Sequence, residues 1–131
     1  MQTFLPYPDF KKSLHALDYR RLGKQRVEAY QIIRALRYGG GYSHHPAVIM
    51  WRGHINALKL YYNYALDEWI RRGYENRMQK MPIHGRIVFP QWFGNDKFHA
   101  AHRSNLLRKD HNYYGHCGWQ EKPDLPYFWG K

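Results

Sequence analysis

The sequence predicts an all-α fold, and the prediction rests on two helical patterns and one absence. Apolar residues recur at three- and four-residue steps in two long segments, and glycine follows each of them. No two segments alternate apolar and polar residues in the way paired strands do. The reading is one compact domain over residues 1–131, with three main helices, an extended N-terminal arm and an irregular C-terminal tail.

The arm is Met1 to Phe10. Pro6 and Pro8 fix their own φ and push their predecessors out of the α region, so this aromatic-rich stretch is expected to run extended over the body. A helix follows from Ser13 or Asp18 to Tyr38, with Leu22, Arg26, Ala29, Tyr30, Ile33 and Leu36 on one side. Gly23 weakens it by about 1 kcal/mol and is expected to mark a bend. Gly39-Gly40-Gly41 ends it. The second helix is expected to start at Ser43-His44-His45-Pro46 and to close at Arg71-Arg72-Gly73. Trp51, Ile55, Leu58, Tyr62, Leu66 and Trp69 form its apolar stripe, and at about 1.5 Å per residue it would span roughly 40 Å. Residues 74–95 hold two prolines and two glycines and read as loop, with a short extended piece over Ile83–Phe89. Asn95-Asp96 caps a third helix that runs to about Lys109, and the tail begins at Asp110.

Composition narrows the function. The 131 residues are 44% hydrophobic and 18% aromatic, which is ample for a core and excludes a disordered chain. No run reaches the roughly 18 apolar residues of a membrane span, and the first ten residues do not read as a secretory signal. Cys117 stands alone, which excludes an internal disulfide framework and fits a reducing, cytoplasmic setting. Lys and Arg number 21 against 10 acids, a net charge of +11, and such an excess points to a polyanionic partner, most often nucleic acid.

The densest constellation is Asp18 to Glu28. Arg20, Lys24 and Gln31 share one side of the helix, and Arg21, Gln25 and Glu28 share the adjacent strip. Such cations neutralise phosphates, while Gln reaches base edges. Glu28 suits general acid or base work, or else pairs with Lys24 four residues earlier. His54 reads as a site histidine or as a hydrogen-bonded core residue beside the Trp51–Leu58 stripe. His44 and His45 precede a helix start, where they either meet a phosphate or cap the helix. From Lys97 to Lys109 there are cations and no acid, so His102, Arg103, Arg108 and Lys109 are candidate DNA contacts. Tyr113 and Tyr114 either stack on an exposed base or pack in the core. His99, His102, His111, His116 and Cys117 match no common zinc spacing, so no metal and no cofactor is expected.

These motifs resemble the pyrimidine dimer DNA glycosylase family. The likeness runs through His15, Tyr19-Arg20-Arg21-Leu22, Arg26-Val27, Gly53-His54, Arg72-Gly73-Tyr74 and Tyr113-Tyr114-Gly115. A bacterial and phage branch of the family is closer still. It is similar over Met1–Phe10, Arg20–Glu28, His44–Val48 and His102–Lys109, nearly residue for residue. The resemblance implies an all-α enzyme that excises a damaged or modified pyrimidine from duplex DNA through a flipped nucleotide. An N-terminal α-amine would attack the sugar C1′, and β-elimination would then nick the strand. An α-amine has a pKa of about 8, so part of it is neutral and nucleophilic at neutral pH. The family's catalytic acid follows its Tyr-Arg pair, where Arg21 stands here, so Glu28 is nominated on its chemistry. Gln2 is too bulky for usual removal of the initiator methionine, which nominates Met1 as the amine. Arg26 and His54 complete the catalytic candidates; Arg20, Arg21, Lys24 and Gln25 join the DNA contacts. A monomer on DNA is expected. Two other readings stay open: a non-catalytic nucleic-acid-binding module on the same scaffold, and a hydrolase of a modified nucleotide or nucleoside.

Overall fold

The computed structural model describes residues 1–129. Its helices are α1 (Phe10–Ala16), α2 (Tyr19–Tyr38), α3 (Pro46–Ile49), α4 (Ile55–Arg71), α5 (Asp96–Lys109) and α6 (His111–Tyr114), with a 3₁₀ turn at Gly115–Cys117. No strand forms among the described residues, so the class is all-α, as the periodicities predict. The main packing is α2 along α4, with α1 against α4. Trp51, Tyr61, Leu58 and Ile33 are fully enclosed in that core, each such side chain contributing about 1.5–3 kcal/mol by leaving water.

Local chemistry explains most boundaries. The Asp9 carboxylate accepts from Lys12 N at 2.8 Å and starts α1. Asn95 does the same for α5 through Lys97 N at 2.9 Å. Gly39, at φ +75°, stops α2 where the glycine run predicts.

Two expectations need correction. The long second helix is broken: α3 is a single turn, Gly53 takes φ +81°, and α4 restarts at Ile55 with His54 at its N-cap. The apolar stripe survives the break because Trp51, one turn before Ile55, still reaches the core. Gly23 marks no bend; α2 runs through it. A methyl group there would meet the Trp69 ring at 3.1 Å, so the glycine makes room for that indole from α4. The Ile83–Phe89 segment finds no partner strand. Its carbonyls are taken by the Asn56 amide, which donates to His84 O and Arg86 O at 2.9 and 3.0 Å.

The arm is extended, and it is buried from Gln2 to Pro6. A buried extended backbone must satisfy its own N–H and C=O groups, and here side chains replace a neighbouring strand. Phe4 N donates to Gln25 Oε1 at 2.9 Å, and Tyr61 OH donates to Phe4 O at 2.8 Å. Leu5 N donates to His102 Nδ1 at 2.9 Å, and His99 Nδ1 donates to Leu5 O at 2.7 Å. Arg103 donates to Pro6 O at 2.8 Å, and the Trp51 indole donates to Thr3 Oγ1 at 3.0 Å. Six residues of three helices and the α3–α4 turn thus hold four residues of arm, Thr3 to Pro6.

Candidate functional site

The arm delivers residue 1 into a cleft of about 1400 Å³. Its floor is the first half of α2, with Arg20, Lys24, Gln25 and Glu28. Its walls are the arm's end at Met1 and Gln2, His45, the end of α5 at Lys109, and Tyr127 and Trp129 of the tail.

Glu28 is the centre. Its Oε2 accepts the backbone N–H of Gln2 at 3.2 Å and the Gln25 side-chain N–H at 3.2 Å, which sets the carboxylate one residue from the α-amine of Met1. Both Met1 and Glu28 are half-buried. The alternative pairing of Glu28 with Lys24 does not form among the described residues, although the spacing allows it. Gln25 locks this geometry. Its Oε1 accepts from Phe4 N and shares the single Tyr61 hydroxyl proton with Phe4 O, and its Nε2 donates to Gln2 O and Glu28 Oε2. All four of its hydrogen-bonding positions are used and it is buried, so it has none left for a base edge. Gln25 is therefore a clamp on the arm, not the DNA contact that the sequence predicts.

His45 joins the same space. Its Nδ1 accepts Ala47 N at 3.0 Å and caps α3, and its ring meets Trp129 edge-on at 6.1 Å. Burial and the nearby α-amine hold the His45 imidazole below its usual range, while Glu28 pulls it partly back. The sequence offers a helix N-terminus for an anion here. The structure gives one turn of helix, and His45 itself occupies the first free N–H.

The other candidates divide sharply. Arg20, Lys24 and Lys109 line the cleft and are exposed. Arg21 lines it too, with Nη1 on Asp18 Oδ1 at 3.1 Å. Tyr113 lines it and is 44% exposed, which suits stacking. Tyr114 is fully buried, donates to Asp18 Oδ1, and stacks on Trp119 at 5.6 Å, so no base can reach it. His102 is likewise fully buried; burial, with His99 adding, holds its imidazole down at about 3, and it serves the arm. Arg103 spends its guanidinium on Pro6 O and on a two-pronged pair with Glu121 at 2.9 Å. Arg108 donates to Asn105 Oδ1 from an exposed position, and His44 is exposed outside the cleft. Arg26 and His54 are not brought to the cleft. Arg26 lies 4.1 Å over the Trp69 ring and donates to Asn76 Oδ1 at 2.9 Å, while His54 Nδ1 lies 3.0 Å from Val88 O. Sequence reasoning missed Asp110, Tyr127 and Trp129 as cleft residues, because only the folding of the tail brings them to α2. No group of three metal-ligating side chains comes together among the described residues, and no helix there is long and apolar enough to cross a membrane.

The family model for pyrimidine dimer DNA glycosylase matches residues 1–82, and the chain belongs to that family. The matched segment carries Met1, Gln25, Glu28 and His45, which all line the cleft. At the level of the family, the activity is a DNA glycosylase for pyrimidine dimers and the substrate is DNA. No curated protein and no solved structure matches the chain.

Proposed function

We propose that this chain is a single-domain DNA glycosylase with an accompanying lyase step, in which the α-amine of Met1 is the nucleophile and Glu28 moves the protons. The observation that carries the reading is the seat of the arm: the Gln2 amide rests on Glu28 Oε2 at 3.2 Å, so the carboxylate holds the arm one residue from its amine, and Met1 and Glu28 line the same open cleft. The neutral amine attacks C1′, the glycosidic bond breaks, and the base leaves with the bonding pair. Glu28 takes a proton from the new C1′ ammonium and returns it to the sugar ring oxygen as the ring opens to the iminium. Glu28, ionised again, takes a C2′ proton; the electron pair left behind forms the C2′–C3′ double bond as the C3′–O bond breaks, and the 3′ phosphate leaves with that bond's electrons.

The cations fit this reading. Arg20, Lys24 and Lys109 rim the cleft and meet the backbone of a duplex whose target nucleotide is turned out, at a cost of a few kcal/mol. Tyr113 offers an exposed ring for stacking. Arg26 and His54 act at a distance, by seating Trp69 and the 74–95 loop.

Glu28→Gln tests the assignment. The amide keeps an acceptor for Gln2 N, so the arm stays in place. Base release is expected to fall by about 10²–10⁴, with affinity for the same duplex unchanged in a gel-shift titration. Turnover at the wild-type rate would overturn the role of Glu28.

A further inference from the structure

Within the proposed glycosylase reading, we infer that His45 is a neutral hydrogen-bond donor to the carbonyl oxygen of the departing pyrimidine. Two observations carry this. First, the tautomer is set by the fold: Nδ1 accepts the Ala47 N–H at 3.0 Å, the one side-chain hydrogen bond of His45 among the described residues, so the ring's proton sits on Nε2. Second, the ring lines the same cleft as Met1 and Glu28, and the paired rings of Tyr127 and Trp129, 5.3 Å apart, stand beside it.

The chemistry follows from what lies next to C1′. Displacement at C1′ brings the amine in opposite the glycosidic nitrogen, so the base and its 2-carbonyl lie across C1′ from Met1 within the same cleft, with the phosphates further off. As the C1′–N bond breaks, its electron pair passes to the base, and negative charge grows on that carbonyl oxygen. A donor placed there stabilises the transition state more than the ground state. A phosphate contact would call for a cation, and His45 is a poor one. Full protonation puts a proton on Nδ1, against the Ala47 N–H, and the α-amine beside it opposes a second positive charge. The aromatic pair supplies a face for the base while His45 addresses its edge.

The test separates the two halves of the reaction. Asn is a good N-cap, so His45→Asn keeps an acceptor for Ala47 N and the turn of α3, but loses the imidazole donor. On duplex holding a pyrimidine dimer, base release is expected to fall by about 10²-fold. On duplex with a preformed abasic site there is no base to stabilise, so strand nicking and borohydride trapping are expected to stay within about twofold of wild type. Equal losses on both substrates would make His45 a phosphate or structural residue. No loss on either would also overturn the inference. Wild-type protein inert on both duplexes would instead remove the glycosylase reading on which it rests.

Discussion

The first half of α2 and the whole of α5 look alike as sequence and behave oppositely as structure. Each is a run of cations with amide or hydroxyl residues between them. In α2, Arg20 and Lys24 are exposed on an open cleft. In α5, His99, His102, Ser104 and Asn105 are buried, and Arg103 is fully committed to the arm and to Glu121. The difference lies in what covers each helix. The arm and the tail both cross α5, and irregular backbone without a strand partner must find donors and acceptors somewhere. The Ser104 hydroxyl donates to Lys122 O and accepts from Leu125 N, as His99 and His102 take both sides of Leu5. Positive charge in a helix therefore marks a binding surface only where its hydrogen-bonding capacity is unspent.

The largest expected effect breaks the clamp between the two regions. Gln25→Ala leaves Phe4 N and Gln2 O without their buried partners and removes an acceptor from Tyr61. A stability loss of about 3 kcal/mol is expected in urea unfolding. Activity should fall further than folding explains, because Met1 is no longer held at Glu28. A variant as stable and active as wild type would remove the arm from the account.

The α5 side of the comparison makes a pH prediction. His99 and His102 both titrate below their usual range because of burial, His102 at about 3. Unfolded, they titrate near 6.5, so below that pH the unfolded chain binds more protons than the folded one. Their stabilisation is fully present above about pH 6.5 and is lost as pH falls toward the folded values, with a slope of up to about 1.4 kcal/mol per pH unit for each. Arginine partners hold Glu68 and Glu121 below the usual 4.5, and these add the same sign only below that value. Urea midpoints between pH 7 and 5 therefore report histidines, and His102→Asn should flatten the curve. An unchanged slope would contradict the arm's seat on α5.

The smallest effect sharpens the contrast directly. Lys24→Ala should weaken duplex binding and lower the log K against log salt slope by about 1. Arg103→Ala should leave that slope unchanged while costing stability. The reverse pattern would mean that α5, not α2, faces DNA.

Much of this was legible in the residues. The ends of α2 and α5 follow from Gly39 and Asn95, and the basic strip with Glu28 inside it could be read directly. The break before α4 could not, since Ser43–Pro46 and Gly53–His54 both suit a helix start and only tertiary packing uses both. The fates of Gln25, His102 and Tyr114 were hidden for a common reason. Each is decided by a partner at least 21 residues away, and helical periodicity carries no information at that range. Gly23 shows the same limit: a weak helix former is retained because Trp69, distant in sequence, fills the space above it.

The proposed chemistry turns on residue 1, whose amine the arm brings into the cleft that Glu28 lines. Borohydride trapping on an abasic duplex, followed by mass mapping of the cross-linked peptide, tests it most directly. One covalent adduct is expected, on the α-amine of Met1, and it diminishes when the N-terminus is acetylated. An adduct on a lysine, or none while the duplex is bound, would contradict it.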